Sequence, residues 1–179
     1  MSLLSNDKMG LIRVFTGSGK GKTTSAFGYA LRLIGYGMKV CIIQFMKSGL
    51  YGEFIAAEKL RPFLTIIQFG EKRFVNKEDI DDNDIRKAKE ALEYAAKTIK
   101  SGNYDLVILD EINVAIGWKL VDLEDVIKIL REKPKHVEVI LTGRYAPKEL
   151  MDVADEVVEY VEVKHPSKIG IKARPGVEY

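Results

Sequence analysis

An α/β fold, a mainly parallel sheet with helices on both faces, is what this sequence predicts, and two observations predict it. Short, continuous apolar runs alternate with helix-like stretches along the chain, the pattern of strands buried on both faces. The first of those runs passes directly into a glycine-rich turn, which opens the first helix. That is the context in which a phosphate-binding loop is credible.

The elements follow in order. Leu11 to Phe15 is an apolar run and reads as the first strand, and Ser25 to Ile34 is apolar-periodic and reads as a helix. Lys39 to Phe45 (Lys-Val-Cys-Ile-Ile-Gln-Phe) is a second buried strand, Glu53 to Leu60 a short helix, and Phe63 to Phe69 a third strand. Asn76 to Lys100 is highly charged and carries Ile80, Ile85, Ala88, Leu92, Ala95, Ala96 and Ile99 at near-helical spacing; its second half reads as a long surface helix ending near Gly102. Asp105 to Leu109 is a short apolar strand, and Leu123 to Leu130 places Val126, Ile127 and Leu130 on one helical face. Val137 to Leu141 makes another strand, Pro147 to Val153 a short helix, and Glu156 to Val163 alternates into a last strand. No repeat, low-complexity segment or linker divides the chain. The expected organisation is therefore a short arm over 1–10 and a single nucleotide-binding domain over 11–179.

Length and composition fit that organisation. At 179 residues the chain suits one domain with a real core, and 46% hydrophobic against 30% charged residues marks it as globular. No apolar run approaches the roughly 20 residues that a membrane helix needs, and the first ten residues carry no apolar signal region. A cytoplasmic protein without a membrane partner is the expectation. The net charge is +2, with basic residues spread among acids, which argues against nucleic acid as the main partner. The one cysteine, Cys41, lies inside a strand pattern and reads as a buried, inert thiol. His136 and His165 have no second ligand at metal-binding spacing, and no nucleophile–histidine arrangement stands out.

The turn reads Thr16-Gly17-Ser18-Gly19-Lys20-Gly21-Lys22-Thr23-Thr24. Small residues let the backbone curl so that several N–H groups point at one anion, and the helix N-terminus adds partial positive charge there. Lys22 would reach the outer phosphates, and the Thr23 hydroxyl would hold a divalent cation. The usual Gly-x-x-x-x-Gly-Lys-Thr spacing puts its first glycine at residue 16, where this chain has Thr16; Gly17 and Gly19 supply the turn instead. The loop makes the expected fold P-loop NTPase-like, with a nucleoside triphosphate as its natural ligand.

In such sheets ligands gather at the carboxyl ends of the strands, so the residues just past those ends carry the other candidates. Asp110 and Glu111 end the run Asp-Leu-Val-Ile-Leu-Asp-Glu and bring carboxylates toward a magnesium ion beside Thr23; spacing leaves open which of them ligates, or whether one caps the next helix. Arg144, after Thr142 and Gly143, would pair with phosphate oxygens or with a surface carboxylate. In Gln44 to Leu50, Lys47 would meet phosphate and Met46 would line an apolar pocket, while Phe45 reads as core.

These blocks carry a resemblance. Val14 to Gly28 (Val-Phe-Thr-Gly-Ser-Gly-Lys-Gly-Lys-Thr-Thr-Ser-Ala-Phe-Gly) resembles the signature of the ATP:corrinoid adenosyltransferases, whose Thr-Gly opening accounts for Thr16 and which typically have Asn where Ser18 stands. Val40 to Lys47, Leu106 to Ile112 and Val139 to Arg144 are similar to further blocks of that family in the same order. So are Ala154-Asp155, Val163 to His165, Gly170 to Ala173 and Gly176 to Tyr179.

The resemblance implies transfer of the 5′-deoxyadenosyl group of ATP to Co(I) of a reduced corrinoid, with release of triphosphate. It implies ATP lying across the loop in the opposite sense to kinases, so that the 5′-carbon is exposed. It implies Mg2+ (or Mn2+) on Thr23 and Glu111, and Arg32 near the nucleotide. It also implies a homodimer and a flavin-type reductase as partners. Gly17, Ser18, Gly19, Lys20, Gly21, Lys22, Thr23, Thr24, Arg32 and Arg144 become the nucleotide-binding candidates, Thr23, Asp110 and Glu111 the metal candidates, and Lys22 and Phe74 the catalytic ones.

Two features depart from the family pattern. Where relatives often carry a Phe-x-Trp pair that helps remove the lower axial ligand of cobalt, this chain reads Gly70-Glu71-Lys72-Arg73-Phe74-Val75-Asn76 with one aromatic; Trp118 lies elsewhere and reads as packing. Met1 to Gly10 is shorter than the basic arm that covers the corrinoid in many relatives. Two other readings stay beside the adenosyltransferase: a P-loop kinase or ligase of a small molecule, and an ATP-sensing module with little turnover.

Overall fold

A computed structural model of the chain describes residues 9–73, 75–174, 176 and 177. In order they form β1 (Ile12–Thr16), α1 (Lys22–Gly35), β2 (Val40–Phe45), α2 (Gly52–Lys59), β3 (Leu64–Phe69), α3 (Asp82–Ser101) and β4 (Leu106–Asp110). Then come α4 (Ile112–Gly117), α5 (Leu123–Arg131), β5 (Glu138–Thr142), α6 (Lys148–Asp152) and β6 (Glu156–Glu159), with 3-10 turns at Lys77–Asp79 and Pro166–Ile169. The arm expected over 1–10 lies outside the described residues as far as Lys8, and Phe74, Glu178 and Tyr179 lie outside them too.

The strands pair in the order β3-β2-β4-β5-β1-β6, and every pairing is parallel. Successive side chains of a strand point to opposite faces, so one apolar run feeds two cores. Val14, Cys41, Ile43, Val107, Leu109, Val139 and Leu141 pack on one face, against α3, α4 and α5. Phe15, Val40, Ile42, Leu106, Ile108 and Ile140 pack on the other, with Ala26 and Ala30 of α1 and Ala57 of α2. The expected P-loop NTPase-like architecture is present, with a sheet that is parallel throughout. No described helix is long and apolar enough to cross a membrane.

Three elements differ from the sequence expectation. The charged stretch is helical from Asp82, not only in its second half, because Asp81 and Asp84 form a reciprocal capping box: Asp84 N–H donates to Asp81 Oδ1 at 2.9 Å and Asp81 N–H to Asp84 Oδ2 at 3.2 Å. Helix α4 had no periodic signal, because Ile112, Asn113, Val114, Ala115 and Ile116 are all buried and no polar face marks it. Strand β6 stops at Glu159 rather than Val163. Its partner β1 ends at Thr16, after which Tyr160 turns onto the glycine loop and its carbonyl accepts from Gly19 N–H at 2.6 Å.

Cys41 is the second residue of β2 and has no exposed surface, and burial pushes its thiol up to about 12. At about pH 8 that leaves on the order of one thiol in ten thousand ionised. Iodoacetamide should leave the native protein unlabelled at that pH over hours and label it fully in denaturing guanidinium. Rapid labelling of the native protein, read by intact mass, would contradict the buried placement.

Candidate active site at the strand ends

The loop between β1 and α1 is shaped by what it packs against. Gly17 and Gly21 have positive φ, 95° and 109°, which an L side chain rarely adopts. A Cβ on Gly17 would also meet Tyr160 O at 2.4 Å, and one on Gly19 would meet the Tyr160 and Val161 backbone at under 3 Å. The chain after β6 therefore forms the outer wall of the loop and leaves room for nothing larger than glycine. Inside, the Lys22 ammonium donates to Gly17 O at 2.9 Å and Gly19 O at 2.6 Å, holding the coil closed around itself. Burial lowers the Lys22 pKa, the Arg144 charge adds to that, and Glu111 opposes it.

Asp110 is the hub. It has no exposed surface and ends β4, which β5 separates from β1. Strands stand about 4.8 Å apart, so side chains must bridge that gap at the sheet's edge. Thr142 at the end of β5 does so: its hydroxyl donates to Asp110 Oδ1 at 2.6 Å and accepts from Glu111 N–H at 3.1 Å. The Thr23 hydroxyl donates to the same Oδ1 at 2.8 Å. Lys47 Nζ at 2.7 Å and Gln44 Nε2 at 3.1 Å donate to Oδ2. Burial alone would raise the Asp110 pKa. The Lys47 charge and hydrogen bond, with those of Thr142 and Thr23, outweigh it and hold the carboxyl below its ordinary range. The same contact reverses the effect of burial on Lys47, whose pKa is raised.

Glu111 is different. It takes a left-handed backbone (φ 65°) at the start of α4 and caps nothing with its side chain. No hydrogen bond from the described residues reaches its carboxylate. Burial and the neighbouring Asp110 charge raise its pKa, against Lys47, Lys22 and Arg144. Gly143 (φ 126°) makes room for it, since a Cβ there would stand 3.2 Å from Glu111 Oε2.

These groups open on one cleft of about 930 Å3. Gly19, Lys20, Gly21, Lys22, Thr23 and Thr24 line it, as do Lys47, Glu111 and Arg144, so most of the expected nucleotide residues share one space. Gly17 supplies conformation and two backbone contacts rather than lining, and Ser18 is exposed beside it. Arg32 is not brought to the cleft. It is exposed on the last turn of α1, about 15 Å along the axis from Lys22, where a cation offsets the helix dipole. Lys47 pairs with Asp110 rather than standing free for phosphate.

Phe27, Met46, Tyr51, Val114, Trp118 and Tyr145 also line the cleft. Trp118 both packs on the core and lines the cleft, a role that reading it as packing alone missed. Gln44, Tyr51 and Tyr145 were also missed as site residues. Tyr145 is exposed with φ 67°, close against Gly117, and no sequence pattern points to it.

A family model described as ATP:corrinoid adenosyltransferase BtuR/CobO/CobP matches residues 8–179. A corrinoid adenosyltransferase from Sinorhizobium sp is 40% identical over 178 residues, covering 97% of this chain and 82% of that protein. One from Escherichia coli (strain K12) is 35% identical over 177 residues, covering 98% and 88%. Corrinoid adenosyltransferase CobA from Salmonella typhimurium is 34% identical, with the same coverage of 98% and 88%. Among solved structures, KaiC-like protein PH0186 from Pyrococcus horikoshii OT3 superposes with a TM-score of 0.59 at 19% identity, covering 88% of this chain and 76% of that one, a likeness of fold.

Thr142 joins Asp110 to Glu111 and has no exposed surface. Thr142→Val keeps the shape but removes the hydroxyl, leaving Glu111 N–H without its acceptor. Urea unfolding should show a loss of about 2 kcal/mol, with Thr142→Ser losing less than half as much. A valine variant as stable as the parent would contradict the bridge.

Proposed function

The chain belongs to the ATP:corrinoid adenosyltransferase family, and from that premise we propose that the cleft over the strand ends is where it moves the 5′-deoxyadenosyl group of ATP onto Co(I) of a reduced corrinoid. The observation that carries the assignment is that the phosphate loop and a largely apolar, aromatic wall share one continuous cleft. The loop suits a polyphosphate, and the apolar and aromatic side chains suit a large, mostly apolar ring system.

The transfer forms a cobalt–C5′ bond while the C5′–O5′ bond breaks. The electron pair on Co(I) makes the new bond, and the old bonding pair leaves on triphosphate. Such a nucleophile needs no base, which accords with a cleft lined by no histidine among the described residues. The protein's work is to hold C5′ in line with cobalt and to stabilise the departing anion. The loop amides, Lys22 and Arg144 serve the second task. Lys22 would exchange the Gly17 and Gly19 carbonyls for phosphate oxygens when nucleotide enters.

The donor set fits a hard divalent cation, Mg2+ or Mn2+. Both Asp110 oxygens already accept two hydrogen bonds each, so that carboxylate serves by orienting the Thr23 hydroxyl. Glu111 keeps a carboxylate that no donor among the described residues reaches, and with Thr23 it would hold the ion. Bound there, the cation would supply neutralisation of the triphosphate. Phe74 is the aromatic assigned to removal of the lower cobalt ligand. A flavin-type reductase supplying Co(I), a homodimeric state and a cytoplasmic location complete the proposal.

Two measurements test it. With ATP, magnesium and chemically reduced cobalamin, the products should be adenosylcobalamin and triphosphate in equal amounts; ADP would indicate a kinase or ATPase, and binding without turnover a sensor. Glu111→Gln should shrink the advantage of magnesium–ATP over ATP in EDTA by about tenfold in calorimetric Kd, while Kd in EDTA stays near the parent value. An unchanged magnesium advantage would remove Glu111 from the metal site.

A further inference from the structure

We propose that Arg73 is a positioning residue for the corrinoid. Through buried Asp84 it fastens the loop between β3 and α3 as one wall of the cleft. The inference rests on the adenosyl-transfer reading and deepens it.

The loop leaves β3 at Gly70 and enters α3 at Asp82. Lys72, Arg73 and Val75 line the cleft that also holds the phosphate loop, and Phe74 lies between two of them in sequence. Lys72 and Arg73 are exposed, and of these three only Val75 is buried, so the segment has little core of its own to fix it.

Polar fasteners take that place. The Arg73 guanidinium pairs with Asp84, and with Asp81 at 3.0 Å, and it donates to Asp79 O at 3.3 Å. Glu71 accepts from Lys87 and Asn83, each at 2.5 Å, and Lys87 also donates to Gly70 O at 2.8 Å. Each partner lies in the first two turns of α3 or just before them.

Asp84 is the informative member. Its side chain is buried, and it already completes the capping box that starts α3. A helix start needs no arginine from eleven residues upstream. A buried carboxylate paired with a guanidinium fixes both in one geometry, and losing either partner leaves a desolvated charge. The loop is also pressed toward the nucleotide side. A Cβ on Gly70 would come within 2.5 Å of Lys47 N, so the loop backbone lies against the turn that carries Met46 and the Asp110-bound Lys47. Loosening Arg73 would release the wall on one side of the ring while leaving the phosphate loop intact. Because the transfer requires cobalt in line with C5′, a displaced wall is costly in rate and in apparent affinity.

The test uses steady-state kinetics with chemically reduced cobalamin, varying cobalamin and ATP separately, on the full chain. Arg73→Ala should raise KM for cobalamin about tenfold while KM for ATP stays within about twofold, and Arg73→Lys should recover part of the loss. Asp84→Asn should give the same pattern, and the double variant should be no worse than the worse single, since both act through one contact. Should Asp84→Asn fail to fold, the two Arg73 variants decide alone.

Unchanged KM values would overturn the proposal. So would a parallel rise in both KM values accompanied by a fall in Tm, which is the mark of a merely structural pair. Additive single effects would mean that Arg73 meets the corrinoid directly, and would overturn its action through Asp84. A parent protein that makes no adenosylcobalamin would fail the functional reading itself. A normal parent with unaffected variants would fail only the role of Arg73.

Discussion

One buried carboxylate organises this molecule. Asp110 accepts from Thr23 on the phosphate loop, Thr142 on β5, Gln44 on β2 and Lys47 just beyond it. An unpaired carboxylate at that depth would be prohibitively costly, and its four donors all have to converge. Convergence fixes the start of α1 relative to three strands. It also fixes where the glycine loop can lie, because the loop spans the few residues between β1 and the anchored Thr23. The phosphate site is thus positioned from below by the sheet's polar edge. From outside, the chain after β6 packs onto Gly17 and Gly19 so closely that no side chain fits there.

Neighbouring acids in this fold take opposite roles because their surroundings differ. Asp110 is saturated with donors and held ionised, so it acts as structure. Glu111, one residue on, is turned by a left-handed backbone away from that cage, and burial raises its pKa. Sequence spacing cannot separate the two, since adjacent residues past a strand end differ only in direction. The separation comes from Thr142, whose hydroxyl donates to Asp110 and receives the Glu111 N–H, and from Gly143, which leaves room for the Glu111 side chain.

The alternating architecture was legible because each strand is a short apolar run and each surface helix shows a polar face. The phosphate loop was legible because Gly-Lys-Thr needs a strand before it and a helix after it, and both are present. Helix α4 was not, since a helix buried on all sides has no period to read. The full length of α3 was hidden because its first turn is stabilised by capping and by Arg73, not by apolar spacing. Trp118 and Tyr145 reach the cleft from two separate strand-end segments, and only tertiary structure brings those together. Arg32 is the converse case: its helix begins at the site, but it lies nearly three turns further on.

The charges around the loop give a physical reason for the proposed cation. Lys22, Lys47 and Arg144 stand against Asp110 and Glu111, and Lys47 is already committed to Asp110. Among these five groups the surplus is a single positive charge, and even with Lys20 added it falls short of what a triphosphate carries at neutral pH. Adding more basic side chains would lower the deficit, but each would have to be buried against Lys22, whose pKa is already depressed by desolvation and by Arg144. A divalent ion arriving with the nucleotide would avoid that conflict, because its charge would enter only when the phosphates do. The raised pKa of Glu111 fits the same logic. An acid that is poorly stabilised as an anion gains most when a cation is brought beside it, so a metal–nucleotide complex would be preferred there over the nucleotide alone.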